Sequence, residues 1–327
     1  MTDEVRTKQF ERNAALEEFL LEINTAFETS EVFFMNKYES SDWPIVFIIG
    51  PPRSGTTLLL QTFASSGVIS YPTNFMSRFY KTPTVGARLQ QMLTEEQFAF
   101  RDEFDDIDKK INFFSSNGKT RGLLAPNEFN YVWKKIVPDE GALANIYGGF
   151  TPDDGISKLR QSFSAVASVF GKPFALKSII FNHRIDLLIK LAERPLIVQM
   201  TREPEQVIAS MLAARERQFG DKRAWYSYKV PEYSQLRDLA PEEQVAGQIH
   251  SLETAIEKGL SEIPVKNKLS ISYREFCEDP RGNFDRLVEK LEGLGGAVGA
   301  PRTLPDCFQI KSKAPTQKTL DAVKMYW

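Results

Sequence analysis

One stretch constrains this chain more than any other: Ile45-Val46-Phe47-Ile48-Ile49 runs directly into Gly50-Pro51-Pro52-Arg53-Ser54-Gly55-Thr56-Thr57. A strand that is apolar at every position has both faces buried, which favours a parallel sheet covered by helices on both sides. The loop that follows has glycine at each end and leads into Thr56 to Ser65, whose apolar content predicts a helix. A glycine-rich turn between a buried strand and a helix is the setting of a phosphate cradle. Backbone N–H groups converge on an anion and the helix N-terminus adds partial positive charge. Thr56 and Thr57 bring hydroxyl donors to the first turn, and Arg53 brings a permanent cation with a planar fork of donors.

The rest of the sequence fits that start. Phe10, Leu16, Phe19, Leu20, Ile23 and Phe27 recur near the helical period, predicting one helix over about residues 8–39. It reads as an N-terminal helical segment (1–42) packed on a single domain (43–327). The other reading is a docking element for a second copy, giving a homodimer, or for a carrier. Further strands are expected at Phe174–Leu176, Pro195–Met200 and Leu269–Tyr273. Helices are expected near Ile185–Ala192, from Pro204, from Pro241 and through Phe284 to Leu291. Residues 85–170 read as mostly helical, with turns at Asn117-Gly118, Gly148-Gly149 and Asp153-Asp154-Gly155. Strands alternating with helices argue for an α/β fold with a P-loop-like parallel sheet and helical substrate-covering insertions.

Composition narrows the function. In 327 residues, Lys and Arg number 41 against 43 Asp and Glu, so no overall field draws the chain to nucleic acid. Two cysteines, Cys277 and Cys307, cannot form a disulfide framework, and with only His183 and His250 a histidine-rich metal centre is not expected. The acidic start and the lack of a long apolar run lead to the expectation of a cytoplasmic protein without a transmembrane segment.

The loop spacing matches the Walker pattern except that Thr56 stands where the lysine should be. That lysine reaches the β- and γ-phosphates of a nucleoside triphosphate, so its absence argues against an ordinary kinase or NTPase. Pro52-Arg53-Ser54-Gly55-Thr56-Thr57 resembles the 5′-phosphosulfate loop of sulfotransferases that use 3′-phosphoadenosine 5′-phosphosulfate (PAPS), in its bacterial and Golgi-type form. The family also carries a 3′-phosphate site made from an arginine at a strand end and a serine two helical turns later. Arg202 and Ser210 have that spacing here. The resemblance implies a P-loop-like fold, binding of PAPS by Pro52, Arg53, Ser54, Gly55, Thr56, Thr57, Arg202 and Ser210, and release of adenosine 3′,5′-bisphosphate without a metal. Tyr273-Arg274-Glu275 with Asp279-Pro280 is similar to a family segment near a late strand, read here as structural. Lys311-Ser312-Lys313 falls where family C-terminal loops fold over the cofactor.

Sulfuryl transfer needs the leaving oxygen stabilised and, for an alcohol acceptor, a base. Arg53 serves the first need. Lys177 matches the lysine that the cytosolic branch aims at the sulfuryl oxygens. For the base two candidates stay open. His183 titrates in a suitable range, but the branch's histidine position is Ile179 here. Glu128, in Pro126-Asn127-Glu128-Phe129, resembles an acidic segment of bacterial members, and its aromatic surroundings predict a raised pKa. Some Golgi-type members carry a glutamate base where Asn74 stands. His250 sits beside an apolar stripe and reads as structural.

The acceptor is expected to be a hydroxyl of a small molecule, lipid or polyketide, with Phe75, Phe79, Tyr80, Phe113, Phe114, Phe129, Tyr131 and Trp133 as candidate pocket residues. The competing readings are a divergent P-loop small-molecule kinase and a non-catalytic nucleotide-binding protein of the same fold.

Overall fold

The computed structural model describes residues 7–8, 11, 13–38, 43–133 and 153–327. Its centre is a four-stranded, all-parallel sheet of β1 (Ile45–Ile49), β4 (Phe174–Lys177), β5 (Pro195–Thr201) and β6 (Lys268–Ser272), in the order β4-β1-β5-β6. A two-stranded hairpin, β2 (Ser115–Ser116) and β3 (Lys119–Thr120), stands apart from it.

All five residues of β1 are buried, and they divide by parity between two cores. Ile45, Phe47 and Ile49 face Trp133, Phe163, Phe174 and Leu188. Val46 and Ile48 face Leu59, Phe63, Phe276, Phe284 and Leu287 on the other side. Helices therefore cover both faces, as the apolar strand predicts. A third core joins the Pro204–Phe219 and Pro241–Ser261 helices to the C-terminal Gln317–Lys324 helix.

From β1 the chain goes to β4 on one side, whereas from β5 it goes to β6 on the other. The loops after β1 and β5 thus part from each other and leave a crevice at the strand C-termini, the usual ligand position of such sheets.

Several expectations are corrected. The N-terminal segment is two helices, Ala14–Ala26 and Glu28–Lys37, broken at Phe27; Phe10 lies outside the described residues. Both helices dock through buried polar side chains. Asn24 donates to the Arg78 carbonyl at 2.7 Å, and Glu31 accepts from Thr84 N and Val85 N at 3.1 and 2.9 Å. Glu31 thereby caps the Pro83–Thr94 helix, whose own N-cap side chain makes no such bond. Residues 99–129 are turns and the small hairpin rather than helix, although a turn does occur at Asn117-Gly118. Asp153-Asp154-Gly155 begins the Asp153–Phe170 helix instead of a turn. Gly148-Gly149 lies outside the described residues. β4 and β5 each extend one residue further than expected, to Lys177 and Thr201.

Candidate active site

Four strand ends supply the site. After β1, Gly50, Arg53 and Gly55 all have positive φ, 142°, 70° and 108°. Gly55 is the N-cap of the Thr56–Ser66 helix and offers no side chain to its N–H groups. Those N–H groups have no intrahelical carbonyl and open into the crevice end of the sheet. Gly55 is also needed for space: a Cβ there would meet the Tyr273 ring at 2.5 Å. Pro52, Ser54 and Thr56 are buried in the loop. Ser54 Oγ is buried without a hydrogen-bond partner among the described residues.

After β5, Arg202 donates to the Arg53 carbonyl at 2.9 Å and to the Lys311 carbonyl, and it lies 4.2 Å from the centroid of the Tyr273 ring. Its Nε is buried and unpartnered among the described residues. Two helical turns on, Ser210 Oγ accepts from Arg53 Nε at 3.2 Å. Arg202 and Ser210 therefore both reach the β1 loop. The Lys311–Lys313 stretch of coil closes this end. Lys313 N donates to Gln206 Oε1 at 2.9 Å, and Gln206 Nε2 donates back to the Lys313 carbonyl at 3.1 Å.

At the end of β4, Lys177 is buried, and its Nζ lies 3.1 Å from Thr57 Oγ1 and 2.6 Å from Glu128 Oε1. Trp133 Nε1 holds the Lys177 carbonyl at 3.2 Å. Glu128 sits in a turn built by Asn127, whose Oδ1 accepts from Phe129 N at 2.8 Å, and Phe129 has φ 56°. Burial pushes the Glu128 carboxyl up, but the charges of Lys177 and Lys119 and the hydrogen bonds from Lys177 and Asn130 outweigh it. The carboxyl titrates below its usual range, opposite to the rise expected from its aromatic neighbours, because the sequence gives no sign of the ammonium beside it.

His183 sits between a single 3₁₀ turn and the Ile185–Lys190 helix. Burial lowers its pKa to about 4, with Glu232 acting the other way. The side chain before it touches the loop instead: Asn182 accepts from Gly50 N at 3.2 Å and donates to the Gly50 carbonyl at 2.9 Å. His250 packs on the rings of Tyr326 and Trp327.

Sequence reasoning missed several contributors. Tyr273, read as purely structural, lies under Gly55 and against Arg202. Asn74 donates to Thr120 Oγ1 and the Gly122 carbonyl at 3.2 and 2.8 Å, and accepts from Asn127 Nδ2 at 2.8 Å. It thereby fixes the segment that presents Glu128. Burial raises the titration of the Tyr226 and Tyr228 phenols, with the charge of Glu128 acting the same way on both and that of Arg53 opposing it at Tyr226, and nothing in their local sequence signals it. Among the suggested pocket aromatics, Phe129 and Trp133 are fully buried core residues and Phe75 packs on Phe79. Among the described residues no helix is long and apolar enough to cross a membrane.

The sequence model of the sulfotransferase family matches residues 44–293, a span that contains the loops after β1 and β5, Glu128 and Lys177. The chain belongs to the sulfotransferase family. No curated protein sequence matches it. Among solved structures it is similar to sulfotransferase STF9 from Mycobacterium avium, at 10% identity and a TM-score of 0.52, over 96% of this chain and 77% of that one. It is also similar to sulfotransferase STF1 from Mycobacterium tuberculosis H37Rv, at 10% identity and a TM-score of 0.50, over 92% and 76% of the two chains. At such identity the likeness shows the shared fold.

Proposed function

We propose that this sulfotransferase takes its sulfuryl group from PAPS and passes it to a hydroxyl acceptor, releasing adenosine 3′,5′-bisphosphate. The observation that carries this reading is the pair of buried, unpartnered polar atoms at the two loops, Ser54 Oγ and Arg202 Nε. An unsatisfied buried polar group is unfavourable by about 1–3 kcal/mol, so such atoms mark a place where a ligand completes the bonding. Here they lie on two loops joined by Arg53, which supports one nucleotide with an anion at each end bridging them. PAPS, when bound, supplies a sulfuryl group already activated by its bond to the 5′-phosphate.

The remaining work falls to the chain. The open N–H groups of Thr56 and Thr57, with Arg53, hold the 5′-phosphate and stabilise negative charge on the leaving oxygen. Arg202 and Ser210 hold the 3′-phosphate, with the Lys311–Lys313 coil as cover. Lys177 balances charge on the transferred group, since it already touches the loop at Thr57. Glu128 is the group we assign to remove the acceptor proton. It adjoins Lys177 and is fixed by Asn74, the position at which some relatives carry their glutamate. His183, whose pKa burial lowers to about 4, is the second candidate. The proposed compartment is the cytoplasm, in keeping with the two free cysteines.

The test pairs binding with turnover. Adenosine 3′,5′-bisphosphate should raise the melting temperature where ATP does not, and sulfur-labelled PAPS should lose label to an acceptor from a panel of alcohols and phenols. Stabilisation by ATP alone would instead support a kinase.

A further inference from the structure

The β2–β3 hairpin is an arm whose tip rests on Glu128 and Lys177. Its two-residue loop, Asn117-Gly118, has φ 49° and 83°, and asparagine followed by glycine is the pair that such a tight hairpin turn favours. The base of the arm is tied both to the helix that follows the β1 loop and to the Glu128 turn. Gln61, buried in the Thr56–Ser66 helix, donates to the carbonyls of Asn112 and Phe114 at 3.1 Å each. Thr120 Oγ1 donates to the Pro126 carbonyl at 2.7 Å. At the tip, a Cβ added to Gly118 would collide with Glu128 Oε1 and lie 3.6 Å from Lys177 Nζ.

Arg217 sets the direction of the Asn117 amide. It stands in the last turn of the Pro204–Phe219 helix, about two turns beyond Ser210, and donates to Asn117 Oδ1 at 2.7 Å. A guanidinium only donates, so the amide oxygen faces it and the amide nitrogen turns away from it. That Nδ2 is buried and has no hydrogen-bond partner among the described residues. Glu128 does not take it: its carboxylate accepts from Lys177 Nζ and Asn130 Nδ2, at 2.6 and 3.1 Å. The donor has lost water without gaining an acceptor, one residue from the backbone that covers Glu128 and Lys177. Such a donor, beside an ammonium, marks the place of an anionic oxygen.

Resting on the PAPS reading above, we infer that Asn117 Nδ2 donates to a non-bridging oxygen of the sulfuryl group, alongside Lys177. In the transfer the acceptor oxygen bonds to sulfur. The bridging S–O bond breaks with its electron pair passing to the 5′-phosphate, and the acceptor's proton passes to Glu128. The non-bridging oxygens carry negative charge throughout, and donors fixed in advance hold them while the sulfur changes partner. Lys177 brings a cation to that place and the amide a neutral donor aimed by Arg217. The sulfuryl group rather than the acceptor is assigned because the tip packs on Lys177, which itself reaches Thr57 Oγ1 of the donor loop at 3.1 Å.

The experiment compares the full wild-type chain with Asn117→Gly and Asn117→Asp. Both replacements suit the positive φ of the turn, and aspartate also keeps an acceptor for Arg217 while removing the donor. Calorimetry without an acceptor measures adenosine 3′,5′-bisphosphate, which lacks the sulfuryl group, and PAPS, which carries it. In Asn117→Gly the bisphosphate should bind within about threefold of wild type, PAPS about threefold to tenfold more weakly, and kcat with the alcohols and phenols should fall about 10- to 100-fold. Asn117→Asp should lose more, because a carboxylate then faces the sulfuryl oxygens. A purely structural tie to Arg217 predicts the reverse order, with Asn117→Asp close to wild type. That reverse order, unchanged PAPS affinity in both variants, or equal weakening of the two nucleotides overturns the Asn117 assignment alone. Failure of the wild type to bind either nucleotide overturns the PAPS reading beneath it.

Discussion

Lys177 Nζ lies 2.6 Å from Glu128 Oε1 while also reaching Thr57 Oγ1 at 3.1 Å, so one ammonium links the proposed base to the nucleotide loop. The lysine comes from the end of β4 and the glutamate from a turn far away in sequence, and they meet because the chain at residues 70–73 bridges to β4 at Ser70 and to Pro126, two residues before the glutamate, at Thr73. In this arrangement the base is held ionised until something else engages the lysine.

Replacing Glu128 by Gln should remove proton abstraction while keeping the shape of the turn. Transfer from labelled PAPS should fall by about 10²- to 10⁴-fold. Bisphosphate affinity, measured by calorimetry, should stay within about threefold. A variant with near wild-type turnover would assign the proton to another group.

Lys177→Met should shift the titration of Glu128 upward. With the lysine present the folded carboxyl titrates below its ordinary value, so the stability it contributes is present above the ordinary carboxylate range. That contribution is lost only as pH falls through the lowered value. Without the lysine, burial is the largest remaining influence and favours the neutral acid. Carbon-detected NMR of the Glu128 carboxyl should show the midpoint rise; a fall or no movement would contradict the pairing.

Gly55→Ala should damage the loop itself. The residue has φ 108° and its added Cβ would enter the Tyr273 ring. Urea unfolding should show a loss of about 1–3 kcal/mol, and bisphosphate binding should weaken sharply. Tyr273→Ala in the same background should relieve the steric part and leave the backbone strain.

His183→Gln tests a stability role against a catalytic one. The folded imidazole titrates near 4 and an unfolded one near 6.5. The unfolded chain therefore binds the extra proton between those values, and stability falls as pH drops from about 6.5 towards 4. Allowing for partial solvent access, the wild type should lose about 1–2 kcal/mol from this group between pH 7 and 5, and the variant should lose less. Turnover at pH 7.5 should change little; a loss comparable to that of Glu128→Gln would make the histidine the base.

The parts of this site that lie close together along the chain are legible in the sequence alone. β1 and its loop carry their meaning in consecutive residues, and Arg202 with Ser210 stands out through its resemblance to the family's strand-end arginine and serine. Tyr273 does not, because its role depends on tertiary neighbours. A tyrosine against Arg202 has the same local sequence as one facing solvent. Glu128 stands out in the sequence but its ionisation does not, for the same reason: the aromatic residues beside it along the chain matter less than the lysine beside it in space. The break at Phe27 is hidden because no proline or glycine stands near it to mark it. The middle of the chain suggests more helix than it forms because several of its apolar residues, Phe100, Phe104, Phe114 and Leu123, stand exposed in turns and coil and line no helix face.

The most direct test of the two-loop reading is isothermal titration of adenosine 3′,5′-bisphosphate against adenosine 5′-monophosphate and adenosine 3′-monophosphate, with wild type and Arg202→Ala. Each charge-assisted site is worth roughly 1.5–3 kcal/mol. The bisphosphate should therefore bind at least about tenfold more tightly than either monophosphate, and Arg202→Ala should erase its advantage over the 5′-monophosphate only. Equal affinity for all three nucleotides, or an Arg202→Ala variant that still prefers the bisphosphate to the 5′-monophosphate, would contradict the account.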